Sequence, residues 1–164
     1  MDNEFYASDE ERWNEIGKVK KKVAEHLKVL PGSRVLDVLV GPGDFTRAVA
    51  KSSKETHVIA GEILKCDIEE AKQKNIRDGL KDRIDLLRMD VTHMAFADNS
   101  FDYVVNFYGW EDFTAFSGEE LIDQLFSEIV RVLKMNGILA ITFIPALDPK
   151  DSVSEKDKEL QEFM

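Results

Sequence analysis

The chain has 164 residues, a net charge of −10 and a single cysteine, Cys66. That length suits one domain around one core. The acidity disfavours a nucleic-acid partner, which would call for clustered Lys and Arg. A lone cysteine excludes an internal disulfide and a cysteine-rich metal site, so no metal is expected. The polar, acidic start, MDNEFYASDEER, is unlike a signal peptide, and no apolar run is long enough to span a bilayer. The expected location is therefore the cytoplasm, with no membrane partner.

Taken in chain order, residues 10–30 carry Trp13, Ile16, Val19 or Lys20, Val23, Leu27 and Leu30 at helical spacing, and Pro31-Gly32 predicts the stop. The KVKKK run at 18–22 reads as a solvated helix face. Residues 34–40 are apolar without alternation, as in a strand covered on both faces of a parallel sheet. A helix follows to about residue 51, with Asp44 expected as its cap. Residues 57–60 predict a second strand, ended by Gly61-Glu62, and 63–75 a helix. Residues 84–89 predict a third strand ending at Asp90. Residues 101–106 predict a fourth, entered through a polar turn. Ser117 and Glu120 have capping-box spacing ahead of a helix with Leu121, Ile122, Leu125, Phe126, Ile129, Val130 and Leu133 on one face. Asn136-Gly137 predicts its stop, and 138–144 a fifth strand. Strands and helices alternate, so the fold class is α/β: a single-domain, three-layer Rossmann-like sandwich with a mostly parallel sheet.

The most informative stretch is VLDVLVGPGDF, residues 35–45. A buried strand stops at a Gly-Pro-Gly turn and a helix begins. Glycines there permit left-handed backbone and close approach of a ligand, and the helix presents unpaired N–H groups to the turn. A dinucleotide fingerprint would need glycine at position 46, where Thr46 stands. A phosphate-binding Walker loop would need Gly-Lys-Ser/Thr, which is absent. Beyond the turn, further strand ends carry Glu62, Asp90 and Asn106. Ligands of open parallel sheets sit at those ends. Glu62 follows the turn at about 20 residues, the spacing at which a carboxylate meets ribose hydroxyls.

The turn resembles the first motif of the class I S-adenosylmethionine-dependent methyltransferases, D-x-G-x-G-x-G. Asp37, Gly41 and Gly43 match it, and Leu39 stands where that family usually has its first glycine. FADNSFD at 96–102 is similar to the family's F-x-D-x-S-F-D run. EIVRVLKMNGILAI from Glu128 resembles its R-x-L-K-x-G-G segment, with Asn136 in place of the first glycine. The resemblance implies strand order 3-2-1-4-5 and S-adenosylmethionine as cofactor, with S-adenosylhomocysteine as product. It implies Glu62 on the ribose, Asp90 on the adenine amino group and the Val91 N–H on a ring nitrogen. It also implies Ile63 and Met94 on the adenine faces, and Asn106 near the methionine amino group.

Methyl transfer from a sulfonium needs mainly alignment of donor and nucleophile, so no obligatory catalytic residue is expected and none is assigned. His93, Tyr108, Glu111 and Asp112 read as loop residues rather than bases. The segment NFYGWEDF, residues 106–113, reads as an aromatic, acidic loop facing a small-molecule acceptor; it is not the N-P-P-Y type that holds a flipped base. His26 and His57 read as surface residues, and Cys66 as core or half-buried. Leu39 could narrow the methionine end of the pocket. Residues 1–30 are expected as a helical segment packed on the core, 31–147 as the cofactor-binding domain and 148–164 as a polar tail lacking the family's usual antiparallel hairpin. The fifth strand would then be a bare apolar edge, covered by a second copy, the tail or another protein. Two alternatives remain open: a degenerate cofactor-binding or partner protein without activity, and aminopropyl transfer from decarboxylated cofactor.

Overall fold

The computed structural model describes residues 9–142, with side chains at 14–110, 113–114 and 117–142. The elements run α1 (Asp9–His26), β1 (Arg34–Val38), α2 (Asp44–Ser52), β2 (His57–Glu62), α3 (Lys65–Arg77), β3 (Ile84–Arg88), β4 (Phe101–Phe107), α4 (Gly109–Phe116), α5 (Glu119–Val132) and β5 (Leu133–Thr142). The five strands form one sheet in the order β3-β2-β1-β4-β5, and every neighbouring pair is parallel. The order reverses between β1 and β4, which opens a crevice beyond their carboxyl ends.

Two cores flank the sheet, because alternate residues of a strand face opposite sides. Val35, Val58, Ala60, Tyr103 and Val105 pack with Phe45, Val49 and Ala50 of α2, and Val23 and Leu27 close that side. Leu36, Val38, Phe101 and Val104 pack with Leu125, Ile129 and Val132 of α5 on the other. The apolar run of β1 is thus buried on both faces, as its composition required.

Several local expectations are corrected. The first helix ends at His26, not near residue 30, because Lys28 turns left-handed at φ 47°. Asp44 does not cap α2; the cap position is Gly43, at φ 72°, and the Asp44 carboxylate instead pairs with Arg47 and Lys74. Ser117 does not cap α5, which starts from Gly118 without a side-chain bond. That helix buries Leu125, Ile129 and Val132 but leaves Leu121, Phe126 and Val130 exposed. It stops at Val132 rather than Asn136, since Leu133 already pairs with Phe101. Asn136, at φ 64°, then sits in an irregularity before pairing resumes at Tyr103 and Ile138. NFYGWEDF is not a loop, because α4 begins at Gly109. Cys66 is exposed on α3, not core. Residues 143–144 of the expected fifth strand, the expected tail at 148–164, and the side chains of Trp13, Glu111 and Asp112 lie outside the described residues.

Candidate functional site

Three of the five residues from Leu39 to Gly43 are left-handed: Leu39 at φ 57°, Gly41 at 51° and Gly43 at 72°. The backbone folds back through a Gly43 N–H bond to the Val40 carbonyl, 3.0 Å, and Val40 donates to the Gly41-facing strand at the Gly61 carbonyl, 3.3 Å. A Cβ at Gly41 would meet nothing within 4 Å, so space lies open there, whereas one at Gly43 would sit 3.0 Å from the Ala71 Cβ of α3. Thr46 is buried beneath the turn and its hydroxyl donates to the Asp37 carboxylate, 2.6 Å. That bond explains why threonine occupies the place a dinucleotide fingerprint reserves for glycine. Asp37 is wholly buried, and burial pushes its carboxyl up to about 7 against the opposing pull of Thr46 and Lys20.

Hydrogen bonds tie the strand ends to one another. Glu62, itself buried, accepts the Gly41 N–H on one carboxylate oxygen at 2.9 Å. Its other oxygen accepts the N–H groups of Ile63 and Leu64, at 2.8 and 2.9 Å. An ionised carboxylate offers about four acceptor positions, so about one remains open to a further donor. The Met89 N–H donates to the Glu62 carbonyl at 2.9 Å and brings the Asp90 loop alongside. Asp90 is exposed, and the Thr92 hydroxyl and N–H both reach its Oδ1, at 2.7 and 2.9 Å. Those two bonds hold its carboxyl below the ordinary range. Its Oδ2 faces His93 only at 3.8 Å. Val91 and Met94 are buried, both within the core on the α5 side, while Ile63 is half exposed at the β2 end.

Asn106 is 3% exposed at the end of β4. Its Nδ2 donates to the Val38 carbonyl at 2.8 Å, which fixes the amide and leaves Oδ1 buried without a partner. A buried acceptor without a donor costs about 1–3 kcal/mol. Gly109 wedges beside it: a Cβ there would lie 2.4 Å from the Leu39 carbonyl oxygen, 2.6 Å from the Leu39 Cβ and 2.8 Å from Asn106 Nδ2. The Leu39 side chain thus leans toward the start of α4, and it packs against the core that also receives Trp110 and Phe113.

Some relevant residues escaped the sequence reading. Lys20 is not on a solvated face; its side chain is 17% exposed, its ammonium lies 3.8 Å from Asp44 and stands over the Phe107 ring. The signal was present, since Lys20 shares the spacing of Ile16, Val23 and Leu27 on the buried stripe. Arg131 also carries a structural duty: it donates to the carbonyls of Met94 and Phe96 and to Glu128 and Asp98, while Glu128 accepts the Met94 N–H at 2.6 Å. This fork ties the loop after Asp90 to α5. His93 is exposed, with Nε2 2.9 Å from Gln124, and Tyr108 opens α4 at φ 64°. Among the described residues no group of His, Cys, Asp and Glu is set to hold a metal, and no helix is long and apolar enough to cross a membrane.

Comparison with known proteins matches this geometry. A family profile described as a methyltransferase domain covers residues 35–137. The ubiquinone/menaquinone biosynthesis C-methyltransferase UbiE of Paraburkholderia xenovorans is 35% identical over 129 residues, 76% of this chain and 49% of that protein. The demethylmenaquinone methyltransferase of Bacteroides fragilis is 30% identical over 122 residues, 74% of this chain and 47% of that protein. The chain thus spans about half the length of these relatives. Among solved structures, a candidate S-adenosyl-L-methionine-dependent methyltransferase of Methanococcus maripaludis superimposes with a TM-score of 0.66 at 26% identity, over 80% of this chain and 60% of that one. The [4+2]-cyclase SpnF gives 0.65 at 26% identity, over 76% and 43%. With its sheet order, its glycine turn and this profile match, the chain belongs to the class I S-adenosylmethionine-dependent methyltransferase family.

Proposed function

We propose that this chain binds S-adenosylmethionine across the ends of β1, β2, β3 and β4 and supports methyl transfer to a small-molecule acceptor, releasing S-adenosylhomocysteine. The observation that carries the reading is the hydrogen bond from Gly41 to Glu62, which sets an open glycine turn against a buried carboxylate with an acceptor position to spare. Glu62 takes the ribose hydroxyls, Asp90 Oδ2 the adenine amino group and the Val91 N–H a ring nitrogen, with Ile63 against one face. The turn from Asp37 through Leu39, Gly41 and Gly43 lines the methionine end. The orphaned Asn106 Oδ1 suits a donor there, such as an ammonium. The bound sulfonium supplies an already activated methyl group, so the residues bind and align rather than move a proton. The relatives named for menaquinone and ubiquinone favour an aromatic acceptor, and Trp110 of α4 lies tilted against Phe113 and against Phe126 of α5. We also infer that the protein works in the cytoplasm and that a second copy covers the β5 edge.

A second reading is cofactor binding without transfer, and Leu39 favours it. Its side chain stands where the family's glycine leaves room. Calorimetric titration of S-adenosylmethionine and S-adenosylhomocysteine tests the first reading. Wild type is expected to bind both, and Glu62→Gln to bind at least about tenfold more weakly, a loss of about 1.4 kcal/mol. No binding by wild type overturns the proposal; equal binding by the variant overturns the ribose role. Binding with no methyl transfer to any ring acceptor supports the second reading.

A further inference from the structure

The function above uses Asp90 but leaves the side chains around it without a role. The Thr92 hydroxyl, which donates to Asp90 Oδ1 at 2.7 Å, also lies 3.0 Å from His93 Nδ1. His93 Nε2 in turn lies 2.9 Å from the Gln124 amide nitrogen on α5. For a neutral imidazole these contacts allow one placement of hydrogens. A threonine hydroxyl carries a single hydrogen, and the shorter bond, to a carboxylate that can only accept, takes it. The same hydroxyl oxygen must then accept from His93, so Nδ1 carries the ring hydrogen. Nε2 is left bare and accepts from the Gln124 amide nitrogen, which can only donate. Gln124, His93, Thr92 and Asp90 thus form a chain of donors running one way, from α5 to the carboxylate beyond the end of β3.

The chain fixes which oxygen of Asp90 is offered. Oδ1 is taken by the Thr92 hydroxyl and N–H, while the His93 N–H holds the Asp90 carbonyl at 3.1 Å. Oδ2 faces His93 Nδ1 at 3.8 Å, beyond hydrogen-bond distance. Resting on the cofactor reading, we propose that His93, backed by Gln124, is a positioning residue that sets Asp90 to read the exocyclic amino group of the cofactor's purine. It acts through Thr92, whose hydroxyl hydrogen it turns toward the carboxylate. The His93 side chain is 71% exposed, so the ring exchanges protons with solvent. Imidazoles take up a proton between about pH 8 and 5. That proton sets a second ring N–H against the Gln124 amide and a positive charge beside Oδ2, where it competes with the purine amino group. From α5, Glu128 and Arg131 share the surface cleft with the ring and are paired with each other at 2.7 Å. Arg131 holds the Glu128 carboxyl below its ordinary range, as Thr92 does that of Asp90, so the titration in this span falls on the imidazole.

The test reads a ratio of two affinities, so groups that act on both ligands alike, Asp37 and Glu62 among them, drop out. Calorimetry compares S-adenosylhomocysteine with its 6-oxo counterpart, S-inosylhomocysteine, on wild type, His93→Leu and His93→Asn. At pH 8 wild type is expected to prefer the adenosyl ligand at least about tenfold, the size of one hydrogen bond to a charged group. His93→Leu is expected to lower that preference about threefold, by weakening the adenosyl ligand alone. His93→Asn, whose amide N–H stands in for Nδ1–H, is expected to keep most of it. From pH 8 to pH 5.5 the wild-type preference is expected to fall about threefold and that of both variants to stay level. In the free protein, nitrogen NMR shifts of the His93 ring are expected to show the Nδ1–H form at pH 8. Equal weakening of both ligands by His93→Leu overturns the proposal, because the residue then acts on the fold. An unchanged preference, or a ring carrying its hydrogen on Nε2 at pH 8, overturns it too. Binding of neither ligand by wild type is a different result: it overturns the cofactor reading, and this proposal with it.

Discussion

Asp37 is the residue where chemistry and stability meet most directly. Its carboxyl is buried under the glycine turn with Thr46 as its hydrogen-bond donor, and burial raises it to about 7. An unfolded aspartate titrates near about 3.9. Between those values the folded chain keeps a proton that the unfolded chain has lost. The stability linked to Asp37 is therefore full below about pH 4, declines as pH rises and is gone above about pH 7. An Asp37→Asn variant keeps an acceptor for Thr46 and cannot ionise. Its stability relative to wild type is expected to increase between pH 4 and 7, by an amount on the order of a few kcal/mol, and then level off. Urea unfolding of both proteins at pH 4.5, 6 and 8 measures the difference, and a constant gap across that range would contradict it. At this scale the sequence was partly legible. Gly41, Glu62 and Asp90 stand out because strand ends in a parallel sheet leave few roles for glycine and acid. The orphaned oxygen of Asn106 was not legible, since it depends on a hydrogen bond to Val38, 68 residues away.

Among the elements, α4 is where the sequence reading and the structure part. Residues 106–113 hold turn-prone and aromatic residues together, and local preference favours a loop. Contact with the β1 end prevails: Gly109 lets α4 start flush against Leu39 and Asn106. The same reasoning explains α5, whose stripe of seven apolar residues suggested one buried face although, of the seven, only Leu125 and Ile129 are buried in the core and Leu133 packs against it. By contrast the strand and helix order was readable, because apolar runs broken by glycine and acid at each turn have few alternatives. The contact at Gly109 gives an element-scale prediction. Gly109→Ala places a carbon 2.4 Å from a backbone oxygen, which a side-chain rotation cannot relieve. It is expected to destabilise by about 1–3 kcal/mol. Leu39→Gly removes the second clash and frees the turn to shift, so the double variant should recover at least about 0.5 kcal/mol of that loss. Denaturant unfolding of the four proteins decides, and strict additivity would show that the two residues do not meet.

For the molecule as a whole, the question is the β5 edge. Ile138 and Leu139 are 46% and 38% exposed there, and Val130 on α5 is 69% exposed. An apolar strand at a sheet edge invites pairing with another chain. If a second copy covers it, Ile138→Lys places a charge in the contact and the dimer should fall to monomer in light scattering at micromolar concentration. A wild-type monomer, or a variant that stays dimeric, would refute the pairing. The net charge of −10 opposes indiscriminate association, so a specific contact is the form this edge would take.

Leu39 leaves a last consequence. It has lost the letter that usually marks its place in the first motif, yet its backbone still turns left-handed at φ 57°, as its glycine neighbours do. For a residue with a Cβ that shape costs about 1–2 kcal/mol. The motif in this chain is therefore a rhythm of dihedral angles before it is a string of glycines. A text search that insists on the glycine would pass over this protein, whereas a search on backbone shape would stop at it.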